Sequence, residues 1–185
     1  MRTPVDLSKA YRLLNHGPVT LVSSAHGGHQ NVMAAAWCMP LDFSPPKVAV
    51  VIDKSTYTRE LVEASGEFVL NIPGRAIAAQ VIGAGGQSGR SLDKFSALGI
   101  GRLPADRLAA PLIAGCVGWL ECRVIREPHN EQAYDLFLGE VIAASADARV
   151  FRDGHWHFDD ADAALRTLHY VAGGQFYVSG ESLSV

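Results

Sequence analysis

Hydrophobic residues in this chain occur mostly in short runs, which glycine, proline and polar residues separate. Runs of this length that are rich in Val, Ile and aromatic residues are typical of β-strands. The predicted strands cover residues 18–24, 30–37, 45–53, 67–73, 116–127 and 133–145. The unbroken apolar run from Val48 to Ile52 predicts a strand that is buried on both faces. The glycines of HGGHQ can take positive φ, so this segment predicts a turn that joins the first two strands.

Fewer segments have the signals of helices. Residues 6–15 predict a short amphipathic helix, because Leu7, Ala10, Tyr11 and Leu14 follow a helical spacing. Residues 55–66 predict a second helix, with Ser55 as its N-cap and Gly66 just beyond its end. Shorter helices are predicted over 75–83 and near 93–99.

The order of these elements decides the fold class. Strands outnumber helices and do not alternate regularly with them, which argues against a doubly wound parallel sheet. The last two long strands are expected to pair as a hairpin across residues 128–132. The pattern therefore favours a β-barrel or sandwich with added helices. Neither a repeat nor a linker interrupts it, so we expect residues 1–185 to form one domain.

Composition and charge exclude several classes of partner. The net charge is −3 and the Lys and Arg residues are scattered, so nucleic-acid binding is not expected. The three cysteines have no CxxC spacing and are expected to be reduced thiols. No hydrophobic run is long enough to span a bilayer, and the first residues lack the apolar core of a signal peptide. We therefore expect a soluble, cytoplasmic protein that has no contact with a membrane.

The segment DKSTYTRE, residues 53–60, is the first candidate for chemistry. A buried strand ends there and a helix begins. The first backbone N–H groups of a helix have no acceptor within the helix, so they are available to a ligand. Hydroxyl groups at Ser55, Thr56 and Thr58 and the cations Lys54 and Arg59 would suit a phosphate monoester. The alternative is an ordinary capped helix, because most caps bind only their own backbone.

The segment VMAAAWCMP, residues 32–40, is the second candidate. Three alanines are unexpected in a strand, and their small side chains let a planar heterocycle approach the backbone, with Trp37 beside it. Close packing of a helix against this strand explains the same pattern equally well. Asn71 interrupts another apolar strand, and its buried amide must find partners in a ligand or in a neighbouring loop.

The remaining motifs give weaker indications of function. The glycine-rich segment 83–95 lacks the dinucleotide spacing and follows a helix, but its loop can bring Arg90, Asp93 and Lys94 to a site or to a partner subunit. The histidine pairs at 26/29 and 155/157 lack a recognised third ligand, so no metal site is predicted. No nucleophile with a recognisable base is found either. If the chain is an enzyme, a cofactor is expected to supply the reactivity.

Three segments in this order resemble the flavin reductase-like family, the FMN-binding split barrels that include the flavoredoxins. They are NVMAAAWCMPLDFSPPKVAVVI, KSTYTRELVEASGEFVLNIP and SGRSLDKF, and the later strands ECRV and FLGEVIAA agree with the same family. The resemblance covers roughly residues 17–145. It implies a mainly β fold, a six-stranded antiparallel Greek-key split barrel with a few added helices. It also implies a homodimer with one FMN per subunit near the interface.

The resemblance further implies where FMN would lie. The strand from Met33 to Cys38 would follow the isoalloxazine, the helix start would take the phosphate, and Asn71 would meet the polar part of the flavin. The loop at Ser88, Gly89 and Lys94 would lie near the flavin or the dimer partner. The full set of cofactor-binding residues is Asn31, Met33, Ala35, Ala36, Trp37, Cys38, Lys54, Ser55, Thr56, Thr58, Arg59, Asn71, Ser88, Gly89 and Lys94.

Two functions from different classes follow from the resemblance. The first is an FMN-dependent oxidoreductase that takes hydride from NADH or NADPH and passes electrons to free flavin, oxygen, a metal complex or a partner oxidoreductase or monooxygenase. The second is a flavoredoxin-like electron carrier without pyridine-nucleotide turnover. In both, no protein residue is expected to act as a catalytic acid or base. A third hypothesis, a split barrel that has lost the flavin or uses haem, is disfavoured by the Ser and Thr cluster.

Overall fold

The computed structural model describes residues 4–14 and 17–183, and within these ranges the main sheet contains seven antiparallel strands. With strands numbered along the chain, they are β1 (Thr20–His26), β2 (His29–Ala35), β3 (Cys38–Phe43), β4 (Pro46–Val51), β5 (Glu67–Pro73), β8 (Cys116–Ile125) and β9 (Leu136–Ala146). Their order across the sheet is β2-β1-β5-β8-β9-β4-β3. The mainly β class is confirmed.

Small two-stranded sheets lie outside the main sheet. They pair β6 (Arg102–Leu103) with β7 (Leu112–Ile113), β10 (Phe151–Arg152) with β11 (His155–Trp156), and β12 (Leu168–Ala172) with β13 (Gln175–Val178). The last of these packs its Tyr170 and Phe176 side chains on the core that lies under β1 and β2. The C-terminal part of the chain thereby returns to the strands that begin the fold.

The connection between β2 and β3 shows that the sheet closes on itself. These strands occupy the two edges of the sheet, yet only Ala36 and Trp37 separate them along the chain. Two residues bridge at most about 10 Å of extended chain, so the sheet has to curl until its edges meet. Hydrogen bonds from Val51 N to Trp37 O (3.0 Å) and from Thr20 Oγ1 to Ala35 O (3.2 Å) hold this corner. The result is the expected antiparallel split barrel.

The described part of the barrel has one strand more than the six expected, because β3 was not predicted. Pro40 lies inside β3, and a proline in a short run argues against a strand unless the strand is at an edge. The structure places β3 at an edge, with every residue after Cys38 exposed. A register shift between Pro40 and Asp42 lets the proline fit beside β4.

The interior of the barrel is packed around two aromatic rings. Phe68 on β5 and Phe137 on β9 are both fully buried, together with Val50 and Cys122. Gly139 leaves the space that the Phe68 ring fills, since a Cβ at this position would lie 2.6 Å from Phe68 Cζ. A core packed this closely fixes the strands that carry the site.

Helices cover the ends and one side of the barrel. In the described ranges they are α1 (Tyr57–Ser65), α2 (Ala78–Gly86), α3 (Lys94–Ala97) and α4 (Pro128–Tyr134). The helix predicted over 55–66 is confirmed as α1, but its N-cap is Thr56, whose hydroxyl accepts a hydrogen bond from Arg59 N, and not Ser55. Gly66 ends α1 in the left-handed conformation, at φ 72°, as expected.

Two other predictions needed correction. The segment 128–132 was expected to be a hairpin turn, but it forms α4, because Pro128 suits the first turn of a helix. The amphipathic helix predicted over 6–15 is a 3-10 helix over Leu7–Leu13, with none of its residues buried, and residue 15 lies outside the described residues.

Candidate functional site

The open edge of β2 borders a cleft made of two adjoining cavities. One cavity has a volume of about 210 Å³ and the other about 370 Å³. They share Ala34, Gly85 and Gly86, so small residues form the passage between them. A Cβ added at Gly85 would come within 3.3 Å of Ala34 Cβ, so the passage depends on the missing side chain. We call the smaller one the polar cavity and the larger one the apolar cavity.

Hydroxyl, amide and ammonium groups line the polar cavity. Its lining includes Asn31, Met33, Ser55, Thr56, Thr58, Ser88, Gly89 and Lys94, together with Tyr57 and Gln87. Asn31 Nδ2 donates a hydrogen bond to the buried Thr58 Oγ1 at 2.9 Å, and this bond joins β2 to the first turn of α1. Eight of the residues that the resemblance predicts therefore line this one cavity.

Lys94 is the charged group of the polar cavity. Its side chain is buried, and its Nζ donates hydrogen bonds to Val32 O (2.8 Å) on β2 and to Ala84 O (2.7 Å) on α2. Burial lowers the pKa of Lys94 from 10.5 to about 8. Among residues 4–14 and 17–183, no carboxylate lies within ion-pairing distance of this ammonium group. A buried cation that contacts only carbonyl groups is suited to an anionic ligand.

The backbone of β2 offers further hydrogen-bonding groups. The bond from Lys94 to Val32 O shows that this carbonyl points to the free edge of the strand. In an antiparallel ladder alternate residues point their N–H and C=O groups the same way, so those of Ala34 face the cleft as well. The alanines therefore lie where a ligand can approach the backbone.

The apolar cavity continues the cleft beyond Ala34. It is lined by Val19, Ala34, Ala35, Ala36, Val81, Ile82, Tyr170, Gly174 and Phe176, together with the shared glycines. Its aromatic wall comes from β12 and β13, for which the sequence suggested no role. The signal that could have identified them is the alternation of aromatic residues around the Gly173-Gly174 turn, where both glycines have positive φ.

A short segment, residues 87–91, covers the polar cavity. Gly89 lies against the Asn31 amide so closely that any Cβ would overlap Asn31 Oδ1. Arg90 reaches across to α1, donating a hydrogen bond to Ser55 O (2.6 Å) and forming an ion pair with Glu60. Arg90 was expected near a site from the sequence, but its partner Glu60 was not.

Two of the expected cofactor residues do not reach the cleft. Arg59 is buried on the other side of α1, where its guanidinium contacts Asp135 (3.0 Å), Glu63 (2.6 Å) and the carbonyls of Ile52 and Glu131. Its Cζ also lies 4.6 Å from the centre of the Phe137 ring. These contacts occupy the guanidinium, so the structure supports a role for Arg59 in the fold and not in binding a phosphate.

Asn71 is the second residue that the structure turns away. Its Nδ2 donates to Leu21 O (2.8 Å) and Ser23 Oγ (3.0 Å), and its Oδ1 accepts from Ile113 N (2.8 Å). The side chain is fully buried within this network. Of the two alternatives that the sequence left open, the structure therefore supports a link to a neighbouring loop and not a contact with the flavin.

Three other expected residues lie beside the cleft and not in its lining. Lys54 is mostly exposed and forms an ion pair with Asp135 at 3.6 Å. Trp37 is 53% exposed and packs edge-on against Tyr11, with 5.8 Å between the ring centres. Cys38 is half-buried with its Sγ 3.6 Å from Thr20 Oγ1, and burial raises the pKa of its thiol. The corner at Trp37 and Cys38 thus borders the apolar end without lining it.

No group of three or more His, Cys, Asp or Glu side chains within 4–14 and 17–183 is arranged to hold a metal ion. None of the helices in these ranges combines the length and the apolar character needed to cross a membrane.

Comparison with known proteins agrees with the fold and with the resemblance. The family model described as the flavin reductase like domain matches residues 12–173. An uncharacterized Escherichia coli protein, YddH, is 45% identical over 98% of this chain and 96% of its own length. A crystal structure of an FMN-binding domain of a flavin reductases-like enzyme from Shewanella baltica is 51% identical, with a TM-score of 0.89 over 99% of this chain and 96% of that one.

A flavoredoxin is also similar. The flavoredoxin of Desulfovibrio vulgaris is 28% identical, with a TM-score of 0.80 over 91% of this chain and 90% of that chain. Sequence and architecture therefore lead to the same conclusion. The chain belongs to the flavin reductase-like family.

Proposed function

We propose that the chain binds FMN in the cleft along β2 and acts as an FMN-dependent oxidoreductase. The observation that carries this proposal is the buried Lys94 ammonium at the polar end of a cleft whose other end is apolar. A phosphate monoester joined to a planar ring has the same division between a charged and an apolar end. The FMN-binding Shewanella baltica protein, at 51% identity, supports the same cofactor.

The residues of the cleft fit FMN in three ways. Lys94 would supply positive charge to the phosphate, and Ser55, Thr56, Thr58 and Ser88 would supply hydroxyl groups around it. The backbone groups of Ala34 would hydrogen-bond the polar edge of the ring system. The small side chains from Ala34 to Ala36 leave the space in which the ring would lie. Asn31 would act indirectly, since it holds Thr58 in place.

Bound FMN would supply the redox chemistry, which would connect NADH or NADPH as electron donor with free flavin, oxygen or a partner protein as acceptor. The contribution of this chain is to bind and orient. The Lys94 ammonium favours negative charge near the cofactor, the backbone of β2 offers hydrogen-bonding groups, and Tyr170 and Phe176 would exclude water from the ring end. No side chain has to move a proton in this scheme.

Binding is tested by titrating the apoprotein with FMN and with riboflavin, which lacks the phosphate. We expect FMN to bind at least tenfold more tightly, because charge-assisted hydrogen bonds contribute about 1.5–3 kcal/mol. Ser55→Ala should weaken FMN binding and leave riboflavin binding unchanged. Equal affinity for the two flavins would refute the assignment of the polar cavity to the phosphate.

The electron donor is tested separately, by anaerobic stopped-flow reduction of the FMN-loaded protein with NADH and with NADPH. Rapid bleaching of the flavin bands with either nucleotide supports the oxidoreductase. The similarity to the Desulfovibrio vulgaris flavoredoxin favours a second candidate, an FMN electron carrier. A carrier should retain FMN, bleach slowly or not at all with both nucleotides, and be reduced by dithionite.

A homodimer is part of the proposal. On the edge strand β3, Met39, Leu41 and Phe43 are all exposed apolar side chains, and Phe43 is 93% exposed. Large exposed apolar side chains on an edge strand are typical of surfaces that a partner covers. Sedimentation equilibrium should give twice the chain mass, and Phe43→Lys should shift the equilibrium toward the monomer.

A further inference from the structure

Residues 87–91, which we call the strap, separate two cavities. The inner one is the polar cavity, and the outer one is a larger cavity of about 580 Å³ that is open to solvent. Tyr57 and Gly89 line both cavities, so the strap is a thin wall between them. A phosphate group in the polar cavity would therefore be separated from bulk solvent on this side by the strap and the Tyr57 side chain.

The strap is attached to α1 through one side chain. In the described part of the chain, the side-chain hydrogen bonds from the strap to α1 and the residues just before it all come from Arg90. Its Nη1 donates to Ser55 O (2.6 Å), and its Nε donates to Glu60 Oε1 (3.1 Å). The other hydrogen bonds of the strap, such as Arg90 N to Ser88 Oγ (3.3 Å), remain within it. Gly89 rests on Asn31 by contact only.

The attachment of the strap through Arg90 is weak, so the strap can open. The side chains of Arg90 and Glu60 are 43% and 53% exposed, and exposed ion pairs contribute little and are screened by salt. On the α2 side the strap follows Gly85 and Gly86, and a Cβ added at Gly86 would meet no atom within 4 Å. The strap thus begins directly after a helix that ends in two glycines, and it has a single polar side-chain attachment near its end.

From this geometry we infer that Arg90 is a latch: its contacts with Glu60 and Ser55 hold the strap closed over the FMN phosphate and set the rate at which FMN leaves. The inference rests on the proposed FMN site and adds a division of roles within it. Lys94 supplies the charge that the phosphate needs, and Arg90, which does not line the polar cavity, positions the strap. The latch decides whether FMN is retained between turnovers or exchanges with free flavin.

The test measures the FMN dissociation rate by diluting the FMN-loaded protein and following the recovery of free FMN fluorescence. Arg90→Gln should raise this rate about tenfold, since it removes an ion pair and a charge-assisted hydrogen bond. Glu60→Gln should raise it less, because the bond to Ser55 O remains, and Arg90→Lys should fall between wild type and Arg90→Gln. Arg149→Gln, which removes a distant surface ion pair with Asp147, is the matched control and should change nothing.

Salt gives a readout that a purely structural role would not move. In wild type the dissociation rate should rise with NaCl, because salt screens the exposed ion pair. In Arg90→Gln it should be fast and much less dependent on salt, and the double variant with Glu60→Gln should dissociate like Arg90→Gln alone.

Two outcomes would overturn the inference, and they are distinguishable. If wild type prefers FMN over riboflavin but a folded Arg90→Gln releases FMN at the wild-type rate, the latch is wrong and the proposed FMN site stands. If wild type does not distinguish the two flavins, the phosphate site itself fails, and the latch fails with it.

Discussion

The described residues include two buried cations, and their surroundings differ. Arg59 and Lys94 are each only 3% exposed. Arg59 contacts two carboxylates, two carbonyls and an aromatic ring, whereas Lys94 contacts two carbonyls and, among the described residues, no carboxylate. A cation with a complete set of partners stabilises the fold, and a cation without an anion has a place for a ligand. Burial alone does not distinguish these roles, but the partners do.

The first prediction concerns Arg59 and tests what happens when its contacts are removed. Arg59→Met should lower the free energy of unfolding by about 3–5 kcal/mol, because it leaves the Ile52 and Glu131 carbonyls without their partner and leaves Asp135 with only the long ion pair to Lys54. The measurement is urea denaturation of the apoprotein. FMN affinity of the folded fraction should stay within about twofold of wild type, as expected when an affected site is not a ligand site. A large and specific loss of FMN affinity in a folded Arg59→Met would contradict this account of Arg59.

The second prediction concerns Lys94, whose described partners include no anion. Lys94→Met should raise the Kd for FMN about tenfold to a hundredfold, because a charge-assisted hydrogen bond contributes about 1.5–3 kcal/mol. Riboflavin affinity should hardly change. The unfolding free energy should also change little, because the loss of the hydrogen bonds to Val32 O and Ala84 O opposes the gain from removing an unpaired buried charge. Fluorescence titration measures the affinity for both flavins, and urea denaturation measures the unfolding free energy. A variant that loses stability but keeps FMN affinity would assign Lys94 to the fold and not to the ligand.

The third prediction uses the titration of Lys94. Burial lowers its folded-state pKa to about 8, against 10.5 ordinarily. Between these values the unfolded chain binds more protons than the folded apoprotein, so the contribution of Lys94 to stability should rise as pH increases from about 8 to 10.5. FMN binding should show the opposite trend. Its phosphate is already a dianion in this range, and its affinity should fall by up to about tenfold per pH unit above pH 8, as the ammonium loses its proton.

Lys94→Met is the control for both pH trends, because it removes the titrating group. Stability curves and FMN titrations of this variant should be flatter than those of wild type between pH 8 and 10. If wild type and variant have the same pH dependence, another group causes it. The titration of Lys94 then has no role in FMN binding.

The smallest expected effect concerns an exposed cation. Lys54 lies next to Ser55, but its side chain is 65% exposed and its ion pair with Asp135 is long, at 3.6 Å. Lys54→Met should change the unfolding free energy by less than about 1 kcal/mol, as for other surface ion pairs. The Kd for FMN should change less than about threefold at physiological salt, because exposed charges are screened. A loss comparable to that of Lys94→Met would show that Lys54 folds over the phosphate when FMN is bound.

Much of the fold could be predicted from the sequence, because its strands have clear patterns. Strand β5 was predicted with its observed bounds, 67–73, and the turn between β1 and β2 has both glycines at positive φ. The errors fall where local pattern is ambiguous. Pro40 obscured the edge strand β3, and the polar segment 128–132 has the composition of a turn although it forms α4.

The site could be predicted less completely, for a physical reason. Residue type shows what a side chain can bind, but not which way it points or what already occupies it. Arg59 and Asn71 have the right chemistry for a ligand site, and both are fully engaged elsewhere. Residues next to one another in sequence, such as Thr58 and Arg59, face different parts of the structure, because Thr58 contacts Asn31 and Arg59 contacts Asp135. The burial of Lys94 depends on contacts between β2, α2 and α3, which no short segment contains.

The polar cavity beneath Lys94 is proposed to hold the FMN phosphate, and this assignment can be measured. It is tested most directly by loading the apoprotein with excess FMN or riboflavin, desalting both samples, and recording their visible absorption spectra. We predict flavin bands close to one per chain after loading with FMN, and bands largely removed by desalting after riboflavin. Equal retention of both flavins, or a colourless protein in both cases, would contradict the claim.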